Sequence, residues 1–349
     1  MINLKKCLTL FFVIVFILML VAGCGADEVV EEQTDEVADD IDVEDFPHKM
    51  INFILGANPG STPDFLSRGL AIRLQDINDV PVIVTNLVGA NHMIACEEIR
   101  KADPDGHSLW ITIAQTFAQH VFVGNIEEEE LFDIEIFGIL IYDPSAIIVA
   151  NDSPIKDFGD LVEKDLVRFG DGGNQSGGVP PTVMLLNALG IDFKFTPGYT
   201  SAEMFTAVLA GEQELLNRSP GFLYRQGMEN DFRVIAVYSK ERHPLYPDVP
   251  TLFELAEEYG FEWEDNSMYH NAYFIAAPPG TPEAIVEKLQ KDIKYIMTED
   301  EEFINWATEN YVIGDMYPEM IDKEVAISMV KQFINDYAKI ADTVAGQLE

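Results

Sequence analysis

Basic residues are scarce in this sequence of 349 residues. Its 22 lysines and arginines stand against 60 aspartates and glutamates, which gives a net charge of −38 at pH 7. Nucleic acid and anionic lipid head groups bind to basic surfaces, so the composition argues against both as partners. An anionic small molecule would need a locally built site, because long-range steering does not bring it to so acidic a protein.

Recognisable catalytic motifs are missing too. Ser61 and Ser176 lie in glycine-rich stretches but lack the Gly-x-Ser-x-Gly elbow of serine hydrolases. The six histidines are scattered, without the spacing of a metal site. The most glycine-rich stretch, residues 168–178, fits neither the Walker A motif nor the dinucleotide-binding fingerprint. We therefore expect no catalytic residue, no metal and no cofactor.

Only the N-terminus carries a sustained hydrophobic run. Lys5 and Lys6 precede an apolar segment, residues 8–21, which has the length of a signal-peptide core and is short for a membrane span. It ends in Leu-Val-Ala-Gly-Cys24, which resembles the lipobox of bacterial lipoproteins. The resemblance implies a signal peptide over residues 1–23 and a lipid anchor on Cys24. A cleaved peptide without lipid and an uncleaved helix are the alternatives.

Cysteine usage agrees with that interpretation. Of the three cysteines, Cys7 leaves with the signal peptide and Cys24 carries the lipid, so Cys96 is alone and no disulfide can form within the mature chain. We expect Cys96 to be a small buried hydrophobe. Residues 24–45 are acidic, with no lysine or arginine after Cys24, and are predicted to form a disordered tether that precedes a globular part of about 300 residues.

The loop between residues 56 and 61 organises the first half of the globular part. A buried strand, Met50 to Leu55, leads into it, and Thr62 and Pro63 begin a helix. Leu66, Leu70, Leu74 and Ile77 are predicted to form the apolar face of this helix. The free N–H groups and the dipole of such a helix start favour a bound anion.

Strands and helices alternate beyond this point, which predicts a parallel α/β sheet with ligands at the carboxyl ends of its strands. Asp143-Pro144 is predicted to form a turn between two strands of the first half. Thr200 and Glu203 have the spacing of a capping box at the start of a later helix. The predicted strands are residues 80–86, 108–113, 137–141, 146–150, 233–238 and 271–277.

Six short motifs resemble, in order and spacing, those of the extracytoplasmic substrate-binding proteins of tripartite tricarboxylate transporters, the Bug family. Each motif is weak alone, whereas the ordered series is specific and covers nearly the whole mature chain. The matching residues are Pro59-Gly60-Ser61-Thr62 with Asp64 and Arg68, Asn86 with Gly89-Ala90-Asn91, Asp103-Pro104-Asp105-Gly106, Gly173-Asn174-Gln175-Ser176, Pro247-Asp248-Val249-Pro250-Thr251, and Pro279-Gly280-Thr281-Pro282.

The resemblance implies an α/β, two-lobed periplasmic-binding-protein fold of the type II, venus-flytrap kind. Residues 46–148 and 271–349 are expected to form lobe 1 and residues 149–270 lobe 2, with a hinge near residues 147–151 and 269–273. Matched to the family's motifs, the expected substrate-binding residues are Gly60, Ser61, Thr62, Asp64, Gly89, Ala90, Asn91, Asn174, Gln175, Ser176, Tyr199 and Thr200.

The function that the resemblance implies is capture of a small carboxylate outside the cell membrane, by a monomer, and its delivery to membrane permease subunits. A sensor that presents the solute to a membrane receptor kinase is the alternative, and a lipid-anchored serine hydrolase is a third. Ser61, Leu87-Val88 and Asn91-His92 depart from the family's motifs, which leaves the identity of the carboxylate open. Arg218 is the one basic residue that we place near the cleft, with a surface salt bridge or a helix-end charge as the alternative that is favoured. His92 is expected at a helix start, and a position in the cleft wall is the alternative.

Overall fold

The structure is a computed structural model that describes residues 45–174, 176–225, 227–310 and 321–348. The predicted signal peptide, the lipidation site Cys24 and nearly all of the tether lie outside the described residues. The strands are β1 (Ile51–Leu55), β2 (Val82–Asn86), β3 (Ser108–Ile113), β4 (Glu135–Pro144), β5 (Ala146–Ala150), β6 (Leu166–Asp171), β7 (Asp192–Pro197), β8 (Leu216–Arg218), β9 (Phe232–Val237) and β10 (His270–Ala277).

Nine of the described helices lie in the connections between these strands, and the last three follow β10. They are α1 (Thr62–Asn78), α2 (Met93–Ile99), α3 (Ala114–Phe122), α4 (Glu128–Phe132), α5 (Phe158–Val162), α6 (Val179–Leu189), α7 (Ser201–Leu209), α8 (Pro220–Arg225), α9 (Leu252–Tyr259), α10 (Glu283–Thr298), α11 (Glu301–Glu309) and α12 (Lys323–Leu348), with short 3-10 helices at Ala90–His92 and Ser267–Tyr269. No helix in the described part of the chain combines the length and the apolar composition that crossing a bilayer requires.

The first lobe is built on a five-stranded sheet in the order β2-β1-β3-β10-β4. The expected parallel arrangement holds for β1, β2 and β3. It is wrong for β10, which runs antiparallel to both of its neighbours. The chain returns to this sheet from the second lobe and enters at the edge where β1, β2 and β3 end, so β10 runs in the opposite direction.

The second lobe has a three-stranded antiparallel sheet, β8-β5-β9, and a parallel pair, β6-β7. A single bridge between Phe169 and Leu215 joins the pair to the region of β8. The turn predicted at Asp143-Pro144 is wrong: both residues belong to β4 and pair with β10. The chain then passes directly through Ser145 into β5 of the other sheet.

The two connections between the sheets lie side by side. The Ser145 N–H donates to the carbonyl of Tyr269 at 2.9 Å, and the Tyr238 N–H donates to the carbonyl of Ser145 at 2.9 Å. Helix α12 packs on α3 of the first lobe and on α6 of the second. Two lobes with a cleft between them are thus joined at one side.

The predicted core residues are buried with one exception. Leu66, Leu70 and Leu74 on α1 pack into the first lobe, whereas Ile77 in its last turn is 39% exposed. Cys96 is fully buried, as predicted, and burial raises the pKa of its thiol to about 12. Trp110 is also buried, edge-on to Phe117 and Phe274, and serves the core of the lobe.

Candidate functional site

Loops of both lobes enclose a cavity of about 300 Å³. The loops after β1, β2 and β3 line one side, and the loops after β6 and β7 with the end of β8 line the other. Carboxyl ends of strands are where open α/β sheets bind ligands. The first-lobe wall consists of Gly56, Ala57, Asn58, Ser61, Pro63, Val88, Gly89, Asn91, His92, Ile113, Thr116, Asn271 and Tyr273, and the second-lobe wall of Asp171, Gly172, Ser176, Gly177, Gly178, Tyr199, Thr200, Ser201 and Arg218.

Four helices begin at this cavity. Ser61 precedes α1, Ile113 precedes α3, Gly178 precedes α6 and Thr200 precedes α7, and all four residues line the cavity. Each helix has at least nine residues, so each directs free N–H groups and the positive end of a dipole toward the cavity. Helix starts arranged in this way can hold an anion without a basic protein surface.

Asp64 fastens the first loop from outside the cavity. Its carboxylate accepts hydrogen bonds from the Gly60 N–H at 2.8 Å, from the Arg68 guanidinium at 2.8 and 3.1 Å and from the Asn86 amide at 3.0 Å. Burial alone would raise the pKa of this carboxyl, but these hydrogen bonds lower it below its ordinary value. The structure thus places Asp64 as a clamp between the loops after β1 and β2, and not in the cavity wall.

The segment after β2 has an unusual backbone. Gly89 has φ of 144°, and Ala90, Asn91 and His92 follow with φ of 45°, 49° and 74°. For residues with a side chain, left-handed backbone costs on the order of 1 kcal/mol each, and such strain clusters at functional sites. This left-handed backbone places Gly89, Asn91 and His92 in the cavity wall.

A buried histidine holds this strained segment. His120 on α3 lies with Nε2 2.8 Å from the Asn91 carbonyl oxygen, and the Asn125 amide contacts its Nδ1 at 2.9 Å. An Nε2–H donor with an Nδ1 acceptor satisfies both contacts. Burial lowers the pKa of His120, which favours this neutral form. No sequence pattern indicated this role, since His120 lies about thirty residues beyond the segment that it holds.

His92 lines the cavity and is more than the helix-start residue that was expected. Its Nδ1 lies 3.0 Å from the Thr112 hydroxyl oxygen. Burial, together with the neighbouring His120, lowers the pKa of His92 to about 4. The ring is therefore neutral at pH 7 and contributes a polar contact without charge. A Cβ at position 56 would lie 2.7 Å from the His92 Cβ, so the approach of this ring requires Gly56.

The second-lobe wall comes from two loops. The glycine-rich loop contributes Ser176, whereas Asn174 lines a shallower adjoining cavity and Gln175 lies outside the described residues. The next loop contributes Tyr199 and Thr200. Thr200 caps α7 in the predicted capping box with Glu203, which is confirmed. The capping box fixes the loop at the point where it enters the cavity wall.

Arg218 lies at the cleft, and the favoured alternative of a surface salt bridge or a helix-end charge is wrong. It stands in the cavity wall at the end of β8, and its guanidinium makes two hydrogen bonds of 2.9 Å with the two carboxylate oxygens of Asp171. Asp171 is nearly buried and also accepts the Gly172 N–H at 2.7 Å. These two residues are the charged members of the wall among the described residues.

The structure brings half of the expected site residues into the cavity wall. Those that line it are Ser61, Gly89, Asn91, Ser176, Tyr199 and Thr200. Gly60, Thr62, Asp64, Ala90 and Asn174 are described but do not line it, and Thr62 and Asn174 lie in adjoining cavities. The sequence did not indicate Ile113, Thr116, Asn271 and Tyr273, because no glycine-rich loop marks the ends of β3 and β10.

Comparison of this sequence with known proteins identifies the family to which the chain belongs. The sequence model of the tripartite tricarboxylate transporter family receptor, TctC, matches residues 66–323. The chain belongs to this family. Among its relatives is a UPF0065 protein from the tcbD-tcbE intergenic region of Pseudomonas sp. (strain P51), 25% identical over 256 residues, which cover 71% of this chain and 74% of that protein.

Solved structures show the same fold. The R. palustris protein Rpa4515 with adipate superposes with a TM-score of 0.73 at 20% identity, over 86% of this chain and 99% of that one. MatC from Rhodopseudomonas palustris with bound malate gives 0.70 at 21% identity, over 86% and 100%. The two-lobed, type II periplasmic-binding-protein fold implied by the motifs is thus confirmed.

The family settles the class of protein. Its members are transporter receptors, so this TctC protein is an extracytoplasmic solute-binding protein and not an enzyme. The serine hydrolase alternative is therefore wrong. The local geometry agrees, since the Ser61 hydroxyl donates to the Asn58 carbonyl oxygen at 2.6 Å and closes a turn. The described residues contain no cluster of three or more side chains suited to a metal ion.

Proposed function

We propose that this TctC protein captures a small carboxylate in the cavity between its lobes. The observation that carries the proposal is the convergence of four helix starts, α1, α3, α6 and α7, on one cavity with a single arginine in its wall. Free N–H groups at helix starts bind carboxylate oxygens without a fixed countercharge. The structural neighbours with malate and with adipate support the same ligand class.

The first carboxylate of the ligand lies against the first-lobe loops in this proposal. Ser61 precedes α1, and the strained segment with Gly89 and Asn91 lies beside it. Asp64 and His120 fix these two loops from behind. Because the loops are held before the ligand arrives, little conformational entropy is lost when it binds.

A thermal-shift screen of the mature chain tests the ligand class. A bound solute raises the melting temperature by mass action, so mono-, di- and tricarboxylates are compared with sugars, amines and neutral amides at equal concentration. We expect stabilisation by carboxylates only. Stabilisation by another solute class, with none from carboxylates, would contradict the proposal.

We further propose that Cys24 carries a lipid anchor and that the bound carboxylate passes to membrane permease subunits. The Leu-Val-Ala-Gly-Cys24 sequence and the acidic tether of residues 25–45 support an anchored monomer held off the membrane surface. Cell fractionation of the full chain and of Cys24→Ala tests the anchor. The wild type should sediment with membranes, and the variant should not; equal sedimentation of both would argue against the anchor.

A further inference from the structure

The Arg218 guanidinium keeps one donor for a ligand. Its Nη1 donates to Asp171 Oδ2 at 2.9 Å and to the Asn217 carbonyl oxygen at 2.7 Å, and its Nη2 donates to Asp171 Oδ1 at 2.9 Å and contacts Met204 Sδ at 3.4 Å. These contacts use the four N–H groups of the two terminal nitrogens. The remaining N–H, on Nε, has no partner among the described residues, and the side chain is 22% exposed in the cavity wall.

Ser219, next to Arg218, is a second group without a partner. It is only 7% exposed, and its hydroxyl finds no hydrogen bond among the described residues. It lines a smaller cavity of about 100 Å³, which shares Ser61, Ser201, Arg218, Asn271 and Tyr273 with the main one. A buried hydroxyl without a partner costs free energy, so its presence beside a cavity indicates a ligand oxygen or a water there.

We propose that Arg218 determines specificity by receiving the second carboxylate of a dicarboxylate. In this arrangement the Nε–H of Arg218 and the Ser219 hydroxyl donate to that carboxylate, while the first carboxylate lies against the helix starts of the first lobe. The inference rests on the proposed carboxylate function. Asp143 also lines the smaller cavity and lies 3.5 Å from His243, so its negative charge keeps the second carboxylate at the shared wall beside Arg218.

Asp171 and Gly178 act as positioning residues. Asp171 grips the guanidinium on its two terminal nitrogens, which leaves Nε as the donor that remains for a ligand. A Cβ at position 178 would lie 2.8 Å from Arg218 Nη1 and 2.8 Å from Asp171 Oδ2, so the pair fits only over a glycine. A rigidly held arginine loses less side-chain entropy on binding than a free one.

The test compares succinate with butyrate by isothermal titration calorimetry, since these acids differ only by the second carboxylate. A charge-assisted hydrogen bond corresponds to at least about a tenfold change in affinity, so the wild type should bind succinate at least about tenfold more tightly. The variant R218Q/D171N removes both charges and keeps the polar shape. It should bind the two acids equally, because the affinity for succinate falls to that for butyrate.

A second ion pair gives the matched control. Lys323 and Glu135 form a half-buried pair at 2.6 Å outside the cavity wall, and K323Q/E135Q should keep the preference for succinate. If R218Q/D171N does not fold, R218K retains the charge but lacks the planar fork and should lose most of the preference.

Two results would overturn the assignment. One is a preference for succinate that survives in R218Q/D171N or in full in R218K, and the other is tight binding of both acids by the wild type without preference. Both leave the proposed carboxylate function standing. A wild-type protein that binds no carboxylate would contradict the proposed function and the role of Arg218 together.

Discussion

At the scale of single residues, the loops of the site are held by side chains that do not line the cavity. Asp64 joins the loops after β1 and β2, and His120 holds the carbonyl of Asn91 where the backbone is strained. The Pro-Gly and Asp64 pattern pointed to this loop, and the structure places the Asp64 carboxylate behind the loop and outside the cavity wall. Sequence spacing shows that two residues lie near each other, and only packing shows which one faces the cavity.

Gly56 tests this close packing. In Gly56→Ala the new Cβ would lie 2.7 Å from the Cβ and 2.8 Å from the Cα of His92, so the backbone of the strained segment must move. We expect a loss of roughly 1–3 kcal/mol in the free energy of unfolding and weaker ligand binding. Gly173→Ala is the control, because nothing lies within 4 Å of its added Cβ. Equal effects of the two variants in urea unfolding would refute this account.

His92 links stability to pH. Burial lowers its pKa to about 4 in the folded state from an ordinary 6.5, so the unfolded chain takes up the proton first as the pH falls. The free energy of unfolding should therefore decrease between about pH 6.5 and pH 4, by up to about 1.4 kcal/mol per pH unit. Asp64, whose pKa is lowered, loses its contribution only below its ordinary value of 3.8.

Urea unfolding at pH 7 and pH 5 measures this dependence. His92→Gln should show a smaller loss of stability between the two pH values than the wild type. His48→Gln, a change at an exposed histidine, should behave as the wild type does. Burial also lowers the pKa of His270 to about 4. This ring therefore keeps part of the pH dependence of stability in both variants. A wild-type slope in His92→Gln would show that the ring is not responsible.

At the scale of elements, short sequence patterns predicted several strands and helix starts correctly. The strand before the first loop, the helix start at Pro63 and the capping box of Thr200 with Glu203 all followed from short patterns. Helix α3 was missed because it lies directly after β3 without a glycine or proline between them. The directions of the strands could be determined only from the fold, because the local sequence does not indicate which strands pair with β10.

The two capping boxes found in the described part of the chain allow a matched comparison. Thr200→Ala removes the cap of α7 at the cavity wall, and Thr251→Ala removes the equivalent cap of α9, which does not line the cavity. Each should cost about 1 kcal/mol of stability. Only Thr200→Ala should also weaken carboxylate binding in calorimetry. Equal affinities of the two variants would mean that the start of α7 takes no part in binding.

At the scale of the whole molecule, the two lobes meet across the cavity. The Arg225 guanidinium of α8 donates to the Thr62 hydroxyl oxygen at the start of α1, at 2.9 Å. The predicted hinge near residues 147–151 and 269–273 stays a prediction, and so do the lobe boundaries. If it is correct, X-ray scattering in solution should show a smaller radius of gyration with the carboxylate than without it. An unchanged radius would argue against closure.

The family and the two-lobed fold followed from six motifs in order, whereas the ion pair of Arg218 and Asp171 did not. The two residues lie 47 positions apart and meet only because β6 and β8 end at the same cavity. Their meeting depends on how β6 and β8 are placed in the folded chain, which the sequence alone did not reveal. The ion pair that we propose to distinguish one carboxylate from another is therefore the part that required the structure.

Calorimetry on a variant with a blocked cavity tests whether the carboxylate binds between the two lobes. Ser176→Trp places a large side chain in the cavity wall, and Thr308→Trp places one on the exposed face of α11 as the control. The ligand is the carboxylate that stabilises the wild type most. We expect Thr308→Trp to bind it as the wild type does and Ser176→Trp to bind it at least about tenfold more weakly. Wild-type affinity in a folded Ser176→Trp protein would show that the carboxylate binds elsewhere.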